Sequence, residues 1–328
     1  MYNLRAMRQL LSALALLLFN APAPAAGYDP LVPLPGKTQV EDLTLHDSQR
    51  NRDIPLRVYL PASSAPAPLI LFSHGLGGSR EGNAYTGTYW SQRGYAVVAM
   101  QHAGSDEAIW KGKPARQIIA SMKQAASASN LVARIGDVHD VIDQLTQLNA
   151  TSSSPLYHRF DLQHIGMSGH SFGAVTTEAV SGQSFPASLH YTDPRIKAAL
   201  AFSPSTPKQQ SAEQAFSSVQ LPWMLMTGTE DNSRLVGTTV ASRLAVYPAL
   251  PPGDKYQLVL YKAEHSAFTD RELMGEKGQR NPNHHRVILA LSTAFWDAYL
   301  KNDPAAKAWL QSNAPRSVMQ TEDQWQWK

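Results

Sequence analysis

Short apolar runs recur along the chain, separated by longer stretches with helical spacing. Residues 69–72 and 95–100 are apolar at nearly every position, which is typical of strands buried on both faces. Alternating residues at 43–45 and 54–60 predict two earlier strands joined by a polar turn. Further runs predict more strands, which lie at 165 onwards, 196–202, 222–227 and 256–261.

Apolar residues at helical spacing lie between these runs. They predict a long helix over 131–148, a helix over 172–180 and a final long helix over 286–300. Strands that alternate with helices favour a parallel sheet with crossover helices. The predicted fold class is therefore α/β, with a mostly parallel central sheet and helices on both faces. The tail beyond Pro304 is predicted as a short helix followed by coil.

The first 26 residues have the order of a secretory signal peptide. Arginines precede an apolar run at 10–19, and a stretch of small residues that includes Ala25 and Ala26 follows. We expect cleavage after Ala25 or Ala26, which leaves 27–328 as a single domain of an exported, periplasmic or secreted protein. The run is short for a membrane span. An uncleaved anchor is the alternative, and no stable membrane insertion is expected.

Composition and charge exclude several classes of partner. Hydrophobic residues make up 43% and charged residues 17% of the 328 residues, as in a globular protein with a sizeable core. The net charge of +3 is not clustered, so neither nucleic acid nor a membrane surface is an expected partner. Cysteine is absent, which excludes disulfides, thiolate chemistry and a lipoprotein anchor. His284 and His285 lack clustered carboxylates at ligand spacing, so no metal site is expected.

The strongest chemical signal is Gly169-His170-Ser171-Phe172-Gly173, which fits the pattern G-x-S-x-G. In this motif a strand turns abruptly into a helix, and the turn holds the serine in a strained conformation with its hydroxyl exposed. The flanking glycines remove the Cβ atoms that would clash there. The predicted strand before the motif and the helix after it fit this geometry. Ser171 is therefore the candidate nucleophile of an α/β-hydrolase fold.

A serine hydroxyl needs a base that takes its proton. In this fold the chain order is serine, then acid, then histidine, each after a strand. Asp231 follows the run at 222–227, and His265 follows the run at 256–261. We expect His265 to act as general base and then general acid, while Asp231 orients the imidazole. Glu230 is the rival acid, and Asp231 is preferred because the tight turn finishes before it.

An oxyanion hole needs backbone N–H groups that face the developing negative oxygen. One normally belongs to the residue after the nucleophile, which is Phe172. The other is expected from the glycine-rich loop at 74–78, where Leu76 is the preferred donor.

Residues 104–130 are irregular and then helical, and they form a candidate lid or substrate wall. Trp110 in this segment is a candidate substrate-binding residue, and a surface aromatic packed on the body is the alternative.

Two motifs together resemble one branch of the α/β hydrolases. Ser73-His74-Gly75-Leu76-Gly77-Gly78 and the pentapeptide around Ser171 look like those of the platelet-activating-factor acetylhydrolase and dienelactone-hydrolase-like branch, in its bacterial exported members. Further similar segments are 101–107, Arg134 with Asp137, 193–198 and 295–300. The resemblance covers most of the chain after the signal peptide. It implies hydrolysis of acyl esters without a metal or a cofactor.

One position departs from the eukaryotic acetylhydrolases, whose acid follows the sixth strand. Here that strand ends Ala201-Phe202-Ser203-Pro204 without an acid, which returns the acid to Asp231. This arrangement is similar to that of bacterial polyester hydrolases. It counts against a phospholipid substrate and leaves the mechanism unchanged.

The residues therefore predict a serine hydrolase that cleaves carboxylic esters through an acyl-enzyme, acting on a small-molecule or polymeric substrate. A polyester or cutinase-like hydrolase and a phospholipid acetylhydrolase, with the same triad, are alternatives within this class. Peptidase or lactonase activity would use the same catalytic residues. A hydrolase fold kept for binding, with its triad unused, is the alternative outside the enzymes.

Overall fold

The computed structural model describes residues 27–233, 235–273, 276 and 280–328. The predicted signal peptide at 1–26 lies outside the described residues, so its cleavage and the export of the chain stay predictions. Within the described ranges, no helix is both long enough and apolar enough to cross a membrane.

A nine-stranded sheet runs through the molecule, and a two-stranded ribbon lies apart from it. The strands are β1 (Gln39–Asp47), β2 (Arg52–Leu60), β3 (Ala67–Ser73), β4 (Ala96–Met100), β5 (Phe160–His170), β6 (Ser184–Phe185), β7 (Leu189–His190), β8 (Ile196–Phe202), β9 (Trp223–Gly228), β10 (Lys255–Leu260) and β11 (Gln324–Trp327). The order across the sheet is β1-β2-β4-β3-β5-β8-β9-β10-β11, and the strands from β4 to β10 in that order are parallel. β1, β2 and β11 pair antiparallel at the two edges, and β6 with β7 makes the ribbon.

Helices cover both faces of the sheet. They are α1 (Ala84–Gln92), α2 (Ala115–Ala125), α3 (Ala128–Ala150), α4 (Phe172–Val180), α5 (Ala212–Phe216), α6 (Val240–Leu244), α7 (Val246–Ala249), α8 (Pro282–Leu300) and α9 (Pro304–Leu310). Ile70 and Phe72 of β3 join the core formed with α1 and α8, whereas Leu69 and Leu71 join the core formed with α3. Successive strand residues point to opposite faces, and both faces are buried, which explains why the runs read as continuously apolar.

Most of the pattern-based predictions are confirmed. Each predicted strand and each long predicted helix is present, with ends that differ by several residues. The coil predicted after the short helix α9 is wrong, because residues 324–327 form β11 at the edge of the sheet. Trp325 is buried there and pairs with Leu258 of β10. A segment this short carries too little pattern to reveal a strand that exists through pairing with a distant neighbour.

The strand order makes a topological switch point at the carboxyl ends of β3 and β5. From β3 the chain continues to β4 on one side, and β5 then lies on the other side of β3. Open α/β sheets bind their ligands at such a switch point, beyond the carboxyl ends of the strands. The glycine loop at 74–78 and the turn that holds Ser171 therefore lie next to each other.

Candidate active site

Ser171 lies on the sharp turn between β5 and α4. Its φ of 57° and ψ of −113° belong to a positive-φ region that residues other than glycine rarely adopt. The N–H of Ser171 donates to the carbonyl of Phe202 at 2.9 Å, which ties the turn to the neighbouring strand β8. A strained residue that persists because its surroundings hold it is typical of functional sites.

Two glycines let this turn pack closely against β3. A Cβ added to Gly173 would lie 1.8 Å from the carbonyl oxygen of Ser73, and one added to Gly169 would lie 2.3 Å from the carbonyl oxygen of Gly173. The atoms that these added Cβ atoms would meet belong to the backbone, which cannot move away as the end of a flexible side chain can. The turn therefore requires both glycines that the motif contains.

The structure brings Ser171, His265 and Asp231 together in one hydrogen-bonded line. His265 begins the 3-10 turn His265–Phe268 after β10, and Asp231 follows β9. Nε2 of His265 lies 2.9 Å from Oγ of Ser171, and its Nδ1 lies 2.7 Å from Oδ1 of Asp231. Asp231 is fully buried and His265 is 7% exposed, whereas Ser171 is partly open to solvent. The three side chains predicted from chain order thus meet at the carboxyl edge of the sheet.

Hydrogen-bond donors surround Asp231. Oδ2 accepts from the hydroxyls of Ser203 at 2.7 Å and Thr227 at 2.8 Å. Oδ1 lies 3.0 Å from Nε of Arg243, in addition to its contact with His265. Burial would raise the pKa of Asp231, but its interactions with His265, together with the charge of Arg243, hold the pKa below its usual range. The carboxylate therefore stays ionised at neutral pH.

The same contacts select where the imidazole carries its proton. Nδ1 of His265 lies 2.7 Å from Asp231 and 3.1 Å from Nη2 of Arg243. The guanidinium of Arg243 has no hydrogen-bond acceptor, so a proton on Nδ1 can be donated only to the carboxylate of Asp231. This hydrogen bond is charge-assisted, which makes it stronger than a bond between neutral groups and favours the proton on Nδ1. Nε2 then accepts from the hydroxyl of Ser171. In this assignment Nε2 of His265 is unprotonated and can act as the base for Ser171.

Ser203, Thr227 and Arg243 belong to the site although the sequence did not single them out for it. Ser203 directly follows β8 and has a φ of 56°, at the position where the sequence showed only a missing acid. Arg243 lies on α6, and it also donates to the backbone carbonyls of Asp231 and Ser203. No local pattern signals these contacts, because they depend on how the loops after β8 and β9 fold. The rival acid Glu230 is exposed to solvent.

The glycine loop after β3 lies beside Ser171. A Cβ added to Gly75 would be 3.5 Å from the Cβ of Ser171. Across the described ranges, the N–H of Leu76 donates to no protein acceptor. The N–H of Phe172 is at the first position of α4, where a helix offers no internal acceptor. Both predicted oxyanion donors therefore adjoin the candidate nucleophile, and neither has a hydrogen-bond acceptor among the described residues.

The segment predicted as a lid or a substrate wall packs on this loop. It contains the 3-10 turn Glu107–Ile109 and helix α2. The indole N–H of Trp110 donates to the carbonyl of Gly77 at 2.7 Å, and the residue is 36% exposed. The thioether of Met122 packs on the same glycine. Trp110 thus supports the loop through its indole N–H and remains partly exposed to solvent.

The histidines inside the two motifs have packing roles. Nε2–H of His170 donates to the carbonyl of His265 at 3.0 Å, and Nδ1–H of His74 donates to the carbonyl of Gly75 at 2.6 Å. Burial lowers the pKa of both rings well below the usual range, so both are neutral. Among the residues that the structure describes, no group of histidines and carboxylates is placed to hold a metal ion.

Comparison with known proteins agrees with this geometry. The model of the PET hydrolase-like family, PETase, matches residues 86–279, which is more than half of the chain and includes Ser171, Asp231 and His265. No curated protein matches the sequence. The mostly parallel, nine-stranded sheet is consistent with the fold of that family. The chain therefore belongs to the PET hydrolase-like family, a family of ester hydrolases of the α/β-hydrolase type.

Proposed function

We propose that this chain hydrolyses carboxylic esters through an acyl-enzyme on Ser171. The observation that carries the proposal is the line of hydrogen bonds from Asp231 through His265 to Ser171, with distances of 2.7 and 2.9 Å. The line ends at a strained, partly exposed serine beside two backbone N–H groups that have no acceptor within the described part of the chain. Membership of a family of ester hydrolases supports the same reaction.

In the acylation step, Oγ of Ser171 attacks the carbonyl carbon of the ester while its proton moves to Nε2 of His265. The π electrons of the carbonyl move onto its oxygen, which accepts from the N–H groups of Leu76 and Phe172. Asp231 stabilises the imidazolium that forms. When the intermediate collapses, the bond to the leaving oxygen breaks, and that oxygen takes the proton from Nε2.

Deacylation uses the same groups with water as the nucleophile. Nε2 of His265 takes a proton from water, and the water oxygen attacks the acyl carbonyl. Collapse of the second intermediate expels Oγ of Ser171, which recovers its proton from Nε2. One ester and one water thus give one alcohol and one carboxylic acid, and the site returns to its starting state.

We further propose a polyester as the substrate. The family match supports this substrate class, and Trp110 is a partly exposed aromatic residue that bonds to the loop that carries Leu76. Such a ring can stack on an aromatic diester or cover an acyl chain. The likeness to the acetylhydrolase and dienelactone-hydrolase branch makes short-chain and phospholipid acetyl esters the competing substrates.

Export is part of the same proposal. An insoluble polymer cannot enter a cell, so an enzyme that cleaves it must act outside the cytoplasm. The signal-peptide order of residues 1–26 would direct the chain there. N-terminal sequencing of the exported protein should then begin at Ala26 or Gly27, and a chain that starts at Met1 would contradict cleavage.

The test compares the parent with Ser171→Ala on p-nitrophenyl esters of rising acyl length and on a polyester film. The parent should hydrolyse the esters and be labelled by a fluorophosphonate, and Ser171→Ala should lose both. Ser217→Ala, which removes an exposed serine hydroxyl at the end of α5, is the matched control and should behave as the parent. Parent-level hydrolysis by Ser171→Ala would refute the mechanism.

Other outcomes of the same experiment separate the alternatives. Release of soluble acids from the film supports a polyester substrate, whereas activity confined to small esters counts against it. Preference for amides or lactones in the panel would change the substrate class. A pure parent protein that neither hydrolyses an ester nor reacts with the fluorophosphonate would favour a binding protein with an unused triad.

A further inference from the structure

Arg134 is a fully buried guanidinium on α3 that lies against the glycine loop. Nη2 donates to the hydroxyl of Ser73 at 3.1 Å and to the carbonyl of His74. Nη1 donates to the hydroxyl of Ser105 at 3.0 Å, and Nε donates to the hydroxyl of Thr176 on α4 at 3.1 Å. One side chain therefore joins the end of β3, the loop after β4 and the helix that follows Ser171.

These contacts lie close in the chain to both candidate oxyanion donors. The bond to the carbonyl of His74 fixes the start of the loop that carries Leu76. On the other side, Cζ of Arg134 lies 4.7 Å from the centre of the Phe172 ring, which is a cation–π contact. Thr176 also donates to the carbonyl of Phe172 at 3.0 Å. Arg134 thus contacts both segments that form the candidate oxyanion hole.

We propose that Arg134 is a positioning residue that sets the separation and direction of the two oxyanion N–H groups. The inference rests on the proposed ester hydrolysis at Ser171. Donors stabilise an oxyanion most when they already point to where its oxygen will be, because reorganisation during the reaction costs free energy. Arg134 provides this preorganisation without touching the substrate.

A buried network keeps Ser73 ready to accept from Arg134. The hydroxyl of Ser73 donates to Nε2 of His102 at 2.9 Å, and Nδ1–H of His102 donates to Asp137 at 2.9 Å. The order serine, histidine, aspartate repeats that of the candidate triad, but all three residues are fully buried, so no ester can reach Ser73. Burial lowers the pKa of His102 to about 4, which keeps the ring neutral. The network is a support for the loop and not a second active site.

An arginine suits this place better than a lysine. Its planar fork donates in several directions at once, whereas an ammonium is a single point charge. Burial lowers the pKa of Arg134 to about 9, although the negative charge of Asp137 acts to raise it. The guanidinium is therefore still charged at neutral pH. Its hydrogen-bond acceptors are hydroxyls and a carbonyl, which carry no net charge.

The test uses Arg134→Lys and Thr176→Val, with Arg52→Gln as the matched control. Arg134→Lys keeps the positive charge and removes the branched set of N–H donors. Thr176→Val keeps the shape and removes the hydrogen bond from Arg134 to α4. Arg52 bonds to Asp137 at 2.7 Å on the side away from Ser73, and within the described ranges none of its hydrogen bonds goes to the glycine loop. Each full-length variant is assayed on a short p-nitrophenyl ester, and its thermal unfolding is recorded.

We expect kcat to fall about 30-fold in Arg134→Lys and about 5-fold in Thr176→Val, because displaced donors lose part of the roughly 10²- to 10³-fold that one donor contributes. KM should stay within about twofold of the parent value, because ground-state binding does not use the oxyanion donors. The affinity for a boronic acid that forms a tetrahedral adduct on Ser171 should fall with kcat. Arg52→Gln should lose thermal stability and keep its kcat.

Two results would overturn the inference: a parent-like kcat in Arg134→Lys, or a loss of kcat in Arg52→Gln as large as that in Arg134→Lys. If Arg134→Lys does not fold, Thr176→Val decides, and an unchanged kcat in it sinks the proposal. An inactive parent, or a Ser171→Ala variant as active as the parent, would instead refute the ester hydrolysis on which the inference rests.

Discussion

Replacing Asp231 by asparagine removes the buried charge and keeps the shape of the side chain. Nδ1–H of His265 donates to Oδ1 at 2.7 Å, and Nε of the Arg243 guanidinium lies 3.0 Å from the same oxygen, so the amide oxygen of the asparagine should take that position. The amide NH₂ then faces the hydroxyls of Ser203 and Thr227, which can turn to accept. The imidazole keeps its proton on Nδ1, and the variant loses only the negative charge.

The magnitude follows from the charge that develops on His265 during acylation. In the parent, the imidazolium forms with its Nδ1 2.7 Å from the carboxylate of Asp231. Unit charges about 4 Å apart attract by about 4 kcal/mol at an effective dielectric constant of about 20. Since about 1.4 kcal/mol changes a rate tenfold, kcat should fall about 10³-fold. A flipped amide would leave the proton on Nε2, and the loss would approach about 10⁴-fold.

The assay measures kcat and KM on a short p-nitrophenyl ester, with Glu230→Gln as the matched control. Glu230 is exposed and next to Asp231 in the chain, so its amide variant should keep the parent kcat. Asp231→Asn should fold as the parent does and keep a similar KM. If Asp231→Asn stays within about tenfold of the parent kcat, or if Glu230→Gln loses as much, the carboxylate that stabilises the imidazolium is not Asp231.

Two further predictions concern the packing under the site. Gly173→Ala would place a Cβ 1.8 Å from the carbonyl oxygen of Ser73, so we expect thermal unfolding to show a loss of at least about 3 kcal/mol. Gly82→Ala, whose new Cβ would meet its nearest atom at 3.4 Å, is the control, and equal Tm values for the two variants would contradict the clash. Burial raises the pKa of Glu178 on α4 from 4.5 to about 8, so the folded chain holds a proton that the unfolded chain releases, and stability falls as pH rises through this range. Relative to Glu178→Gln, the parent should therefore lose Tm between about pH 5 and about pH 8.5, and a Tm difference that does not change with pH would disprove the raised pKa.

The sequence by itself determined the features that depend on neighbours along the chain. Buried strands and amphipathic helices have their own periodicities, so the α/β class and most elements were predictable. The turn around Ser171 was predictable because its steric demand falls on adjacent residues. Chain order then pointed to Asp231 and His265, since each follows a recognisable strand and parallel strands end at one edge of the sheet.

Only the tertiary structure decided which side chains support these residues. Ser203 meets Asp231 across 28 positions of the chain, and Arg134 meets His74 across 60. The choice between Asp231 and Glu230 also depended on the fold, because only one of these neighbours is buried against His265. A buried polar group must find a partner, but no periodic pattern records which distant residue it will be. That pairing exists only after the strands have taken their order in the sheet.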